Sequence, residues 1–156
     1  MIRPENRPGI APEIRHAGLI ALRQDGLWRG VLIEGPSGVG KSDLAIRALD
    51  AGFRLVADDR VVVFANAGKP WGKAPESLAG LIEVRGLGIV DIAALPFCEI
   101  ALILRCVDAP QAVERLPEPR SEPIAGLSVP VFDLWPREPA APAKIRRMMQ
   151  SLGVAS

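Results

Sequence analysis

Residues Gly35-Pro36-Ser37-Gly38-Val39-Gly40-Lys41-Ser42 follow the pattern G-x-x-x-x-G-K-[ST] of a phosphate-binding loop. Each residue type there has a chemical task. The glycines let the backbone curl and come close to a phosphate. Successive backbone N–H groups and the positive end of a following helix attract anionic oxygens. The Lys41 ammonium is suited to the β- and γ-phosphates, and the Ser42 hydroxyl to Mg²⁺. The flanks agree. Gly30–Glu34 is a β-branched apolar run that reads as a buried strand. In Asp43–Asp50, Leu44, Ala45, Ala48 and Leu49 recur at helical spacing, and Gly52 supplies the stop.

Further polar groups gather around this motif. The short strand Arg54–Ala57 ends in Asp58-Asp59. Adjacent carboxylates in a strand or bend point in different directions, so one can face a metal and the other an acceptor; a plain turn before Val61 is the alternative. Glu83 and Arg85 alternate with apolar residues in Leu81–Asp91 and are expected on one strand face. They suit either a cross-strand salt bridge or a metal ligand and a phosphate clamp. His16 is the single histidine.

Residues 1–13 read as a loose arm before one domain over 14–156. His16–Leu22 and Leu27–Glu34 are expected as strands joined by an Asp25-Gly26 hairpin turn. Val61–Ala65 reads as a strand, Asn66–Pro70 as its turn and 71–80 as irregular or one helical turn. Ile92–Leu95 is expected to start a helix, and Glu99–Val107 reads as a central strand from its continuous apolar character. Residues 108–128 carry four prolines and read as a long exposed segment. Val129–Leu134 is expected as an edge strand, Pro136–Pro142 as a linker, and Ala143–Leu152 as a basic amphipathic helix.

Composition limits the function classes. Nineteen Lys and Arg balance eighteen Asp and Glu, a net charge of +1, and the arginines are dispersed apart from Arg146-Arg147. Nothing there calls for nucleic acid or an anionic membrane. No stretch approaches the roughly 18–20 apolar residues of a membrane span, and the N-terminus has no apolar signal core. A cytoplasmic location is therefore expected. Cys98 and Cys106 stand eight apart on one apolar run. Even spacing puts them on one strand face, too far apart for a disulfide, as buried structural thiols.

Three blocks resemble the catalytic domain of HPr kinase/phosphorylase, the bacterial enzyme that phosphorylates a seryl hydroxyl of the phosphocarrier protein HPr. They are Gly35–Ser42, Arg54–Val61 and Glu83-Val84-Arg85-Gly86-Leu87-Gly88-Ile89-Val90-Asp91. His16-Ala17-Gly18 and Glu114-Arg115-Leu116 add shorter matches. The likeness covers about residues 14–117, with no counterpart of the family's N-terminal domain. It implies an α/β fold with a mixed sheet and few helices, of the phosphoenolpyruvate-carboxykinase-like type. It also implies ATP and Mg²⁺ as cofactors, HPr as partner and a hexamer. Two activities are implied: serine phosphorylation, and phosphorolysis of the phosphoserine to give pyrophosphate. By position, Lys41 holds the β- and γ-phosphates, and Ser42, Asp58 and Glu83 serve the metal. Asp59 is favoured as the base, with the swapped assignment of the two aspartates open. His16 tunes that acid or the incoming phosphate, and Arg115 steadies the transferred phosphoryl group. The family's basic segment near the C-terminus, associated with the reverse reaction, has no clear match in Val129–Arg137. A nucleotide-sensing module and a small-molecule phosphate-loop kinase are the rival readings.

Overall fold

The computed structural model describes residues 11–153. Eleven strands and two helices follow one another: β1 Glu13–Arg15, β2 Gly18–Gln24, β3 Leu27–Glu34, α1 Lys41–Asp50, β4 Arg54–Ala57, β5 Val61–Asn66, β6 Lys69–Lys73, β7 Leu81–Val84, β8 Gly88–Asp91, β9 Cys98–Cys106, β10 Ser121–Ile124, β11 Leu127–Leu134 and α2 Ala141–Gly153. Nine strands form one mixed sheet and β7–β8 form a separate hairpin. Of the arm expected over 1–13, residues 1–10 lie outside the described residues, and Glu13 already belongs to β1, paired with Val63 of β5.

The apolar strands β3 and β9 are the centre, paired in parallel. On its other edge β9 takes β6 at Cys98 and Glu99, then β11 from Ile103 to Cys106. The sheet therefore divides at β9 and curls. One face packs on both helices through Ile20, Val31, Ile33, Leu44, Ala48, Leu102, Leu104, Ile145 and Met149. The other face buries Leu19, Leu32, Val61, Val63, Ile100, Ile103, Ile124 and Val131.

The direction of the strands decides where chemistry gathers. β3, β9 and β11 are mutually parallel. β2 is antiparallel to both β3 and β4, so β4 also runs parallel to β3. Four carboxyl ends, and the amino end of β2, thus meet at one edge. Loops beyond the carboxyl ends of parallel strands are where open α/β sheets bind ligands.

Ion pairs hold this edge together. Arg105 of β9 forms a bidentate pair with Glu122 of β10, at 2.6 and 2.7 Å. Arg120 does the same with Asp133 of β11. Arg15, next to His16, reaches Glu34 at 3.4 Å and donates to the Pro123 carbonyl at 3.0 Å.

Several expected elements shift. Ile92–Leu95 forms no helix: Ala94 bridges Leu55 in parallel, and the Leu95 N–H bonds the Leu55 carbonyl at 2.9 Å. This segment covers the free edge of β4, which outweighs its helical tendency. The 108–128 segment contains β10 and the β10–β11 turn. β11 pairs with β10 over its first half and β9 over its second, so it is no edge strand. The two cysteines do not share a face. The register shifts between the pairs Gly30–Ile100 and Val31–Leu102, so one extra residue, Ala101, reverses the alternation. Cys98 therefore lies in one core and Cys106 in the other. Both thiols are buried, and burial pushes each up to about 12.

The Arg105 hydrogen bonds hold Glu122 below its ordinary carboxylate value. Its contribution to stability is therefore complete above the unfolded value of about 4.5 and is lost as pH falls through the lower folded value. Glu122→Gln is expected to flatten the acid limb of the stability–pH curve below that point. The change should stay under about 1 kcal/mol, because the pair is partly solvated. Chemical denaturation across pH 2–7 checks it, and an unaltered acid limb would contradict it.

Candidate active site

The loop follows β3 directly. Gly35 sits at φ +154°, where an added Cβ would lie 3.0 Å from both the Cβ and the carbonyl oxygen of Cys106. The first turn of the loop therefore closes directly on β9, and only glycine fits. Gly38 and Gly40 also have positive φ. Gly40 caps α1 with no side-chain hydrogen bond, which leaves the first-turn N–H groups to face an anion. The helix ends in a Schellman arrangement, with the Gly52 and Phe53 N–H groups bonding the Leu49 and Ala48 carbonyls. The Lys41 ammonium donates to the carbonyls of Gly35 at 2.7 Å and Pro36 at 3.1 Å, so it lies folded along the loop.

The two aspartates separate as adjacent carboxylates should. Asp58 is the one charged residue in the buried set among the described residues, at 8% exposure. Its carboxylate accepts from the Ser42 hydroxyl at 2.8 Å and from the Glu83 N–H at 3.2 Å. Burial raises its pKa above the ordinary value, and these two hydrogen bonds oppose the rise. Asp59 turns the other way. It has φ +67°, and its half-exposed carboxylate lies 2.7 Å from His16 Nε2. An ionised carboxylate only accepts, so Nε2 is then the donor. The Ala17 N–H bonds the Asp59 carbonyl at 3.2 Å, which fixes the approach of His16.

His16 and Asp59 line one cleft of about 510 Å³ with Ser37, Gly38, Gly40, Lys41, Ser42, Glu83, Arg85 and Arg137, and Asp58 lies behind it in contact with Ser42. The volume suits a nucleotide-sized ligand. Glu83 belongs to β7, but Arg85 lies in the turn to β8, so the two do not alternate on a single strand face. Ile82 is buried against α1, which docks the hairpin beside Asp58. Arg115 is not brought into the cleft. It is exposed on the segment after β9, which leaves from the same sheet edge. Arg137 is the basic lining residue that sequence reasoning missed, and Asp43, Ile46 and Val84 also line the cleft without having been expected there. Arg137 sits in a stretch expected to be a linker, and a basic residue on a short loop after a parallel strand was the available signal.

Among the described residues no group of three or more His, Cys, Asp and Glu could cage a metal by itself. The donors fit Mg²⁺ nonetheless. That ion keeps several waters and takes one or two carboxylates together with substrate phosphates. The Ser42 hydroxyl and Asp58 carboxylate, already in contact, are such a set, with Glu83 beside them.

The family model for the HPr Serine kinase C-terminal domain matches residues 12–129. The chain belongs to this family. HPr kinase/phosphorylase of Streptococcus thermophilus (strain ATCC BAA-491 / LMD-9) is 52% identical over 67 residues, 42% of this chain and 22% of that protein. The Clostridium tetani enzyme is 44% identical over 86 residues, 55% of this chain and 27% of that protein. That of Streptococcus equi subsp. zooepidemicus is 38% identical over 112 residues, 65% of this chain and 36% of that protein. The chain thus spans between 22% and 36% of the length of these curated relatives. The Hpr(Ser) kinase/phosphatase structure from Coxiella burnetii superposes with a TM-score of 0.77 at 26% identity. The match covers 92% of this chain and 97% of that one. A mixed α/β fold with a curled sheet and two helices is therefore that of the family. No helix among the described residues is long and apolar enough to cross a membrane.

Gly35→Ala is expected to push the loop off β9 and to lower stability by about 1–3 kcal/mol, the usual cost of overpacking. Nucleotide binding should fall with it. Thermal denaturation with and without nucleotide checks this, and a wild-type profile would contradict it.

Proposed function

We propose that this chain is an ATP-dependent serine kinase whose acceptor is HPr or a related phosphocarrier. The observation that carries the reading is the division of Asp58 and Asp59. One carboxylate is buried on the Ser42 side of the cleft, and the other faces the opening beside His16. Loop amides, Lys41 and a second carboxylate held apart from the metal donors are what transfer to an alcohol requires.

In the proposed reaction the loop and Lys41 hold the triphosphate. Mg²⁺ at Ser42 and Asp58, beside Glu83, would neutralise charge on the β- and γ-phosphates. Asp59 takes the proton from the seryl hydroxyl as the serine oxygen bonds to the γ-phosphorus. The bond from that phosphorus to the β,γ-bridging oxygen breaks and ADP leaves. His16 orients the Asp59 carboxylate through Nε2. In the reverse direction inorganic phosphate attacks the phosphoserine, Asp59 returns the proton to the serine oxygen, and pyrophosphate leaves. Arg115, exposed on the segment after β9, is assigned by family resemblance to the transferred phosphoryl group. A homo-oligomer, a hexamer by family resemblance, and a cytoplasmic place of action complete the proposal.

Transfer from γ-labelled ATP with Mg²⁺ to purified HPr tests it. Label on a serine is expected. Lys41→Ala should abolish transfer. Replacing both Asp58 and Asp59 with Asn should leave ATP bound while lowering kcat by at least about 10²–10⁴, the usual worth of a general base. ATP binding without label on HPr would contradict the kinase reading.

A further inference from the structure

The turn after β11 bears directly on the nucleotide loop. Arg137 lines the cleft beside Ser37, Gly38 and Gly40, and its Nη2 donates to the Gly38 carbonyl at 3.1 Å. The backbone on either side of it is clamped by Arg47, from the last turn of α1. Arg47 donates to the Pro136 carbonyl and, at 3.2 Å, to the Glu138 carbonyl. Its own guanidinium is braced by Asp43 at 3.1 Å. Pro136 is buried, with its ring 3.8 Å from where a Cβ on Gly40 would lie. Glu138 is paired with Lys144 of α2. The two carbonyls flanking Arg137 are thus tied to the helix that the loop begins, and the residue between them is aimed at the loop.

We propose that Arg137 is a phosphate-binding residue of the nucleotide cleft, and that Arg47 is the positioning residue that holds it over the loop. This rests on the nucleotide half of the proposed function. Arg137 is exposed, and among the described residues no carboxylate pairs with it, so a purely structural ion pair does not explain its place. The Gly38 carbonyl uses one of its five N–H donors. The planar fork suits two oxygens of a phosphate chain better than a single point contact does. Its neighbours are the loop residues whose N–H groups collect anionic oxygens, which selects a polyphosphate over a carboxylate or a base. Arg137 and Lys41 then hold the chain from two elements, Lys41 against the Gly35 and Pro36 carbonyls and Arg137 at Gly38. Both are tied to α1, which starts at Lys41 and carries Arg47 in its final turn.

The test is titration calorimetry of the full chain with Mg-ATP and, separately, with Mg-tripolyphosphate, which lacks the base and sugar. Arg137→Ala should weaken both by about ten- to a hundredfold, the worth of charge-assisted hydrogen bonds. The melting temperature without ligand should not move, because the contact to Gly38 is solvated. Arg137→Lys should recover part of the loss for both probes. Arg47→Ala should reproduce the loss, and the double variant should bind no worse than Arg137→Ala, as residues acting through one another do. Undiminished binding of both probes by Arg137→Ala would overturn this proposal alone. Loss of ATP with tripolyphosphate unchanged would overturn it too, since the contact would then be to the nucleoside. A wild-type chain that binds neither probe would overturn the nucleotide reading and this proposal together.

Discussion

The Asp58 carboxylate sits out of water, held by the Ser42 hydroxyl and the Glu83 N–H, and the cleft is built around that contact. It joins the first turn of α1, the end of β4 and the β7–β8 hairpin at a single oxygen pair. A buried carboxylate is costly unless its lone pairs are met. Here each donor comes from an element that must be in place for the cleft to exist. Burial, together with the nearby Asp59 and Glu83 charges, raises the Asp58 pKa, and the two hydrogen bonds oppose the rise. A divalent cation beside this group would supply the missing compensation, which ties the electrostatic state of the fold to its ligand.

The position of that contact follows from strand direction. With β3, β4, β9 and β11 parallel, every loop at their carboxyl ends opens on the same side. The phosphate loop follows β3, the aspartate pair β4, the Arg115 segment β9 and the Arg137 turn β11. His16 enters from the amino end of β2. The Arg105–Glu122, Arg120–Asp133 and Arg15–Glu34 pairs hold these ends in register. The ion pairs stand beside the cleft rather than in it, and their role is to set spacing.

Much of this was legible in the chain because the decisive signals are local. The motif Gly35–Ser42 fixes strand, loop and helix together, and Asp25-Gly26 announces a two-residue hairpin in which both residues have positive φ. Ala67-Gly68 and Ala125-Gly126 make the same kind of turn, with φ +53° and +75°, and +49° and +80°. The Ala67-Gly68 turn falls inside the one expected over Asn66–Pro70, but β6 already begins at Lys69, whereas Ala125-Gly126 gave no warning and β10 lies in a segment read as long and exposed. The bulge at Ala101 was equally silent, because its cause is the pairing of β9 with β3 rather than anything in the run Cys98–Cys106. Arg137 was hidden for a third reason. Its significance depends on Arg47, ninety residues earlier in the chain, and no sequence spacing reports that clamp. Arg115 shows the converse: a matching residue type does not by itself reach the cleft.

The most direct test of the account is a structure of the chain with Mg²⁺ and a non-hydrolysable ATP analogue. The account predicts the ion at about 2.0–2.1 Å from Ser42 Oγ, the usual distance for Mg²⁺ and oxygen. Asp58 should join its shell directly or through one water, with Asp59 and His16 apart from the ion and facing the acceptor side. An ion held by Asp59, with Asp58 still closed on Ser42 and Glu83, would contradict the division of labour between the two carboxylates.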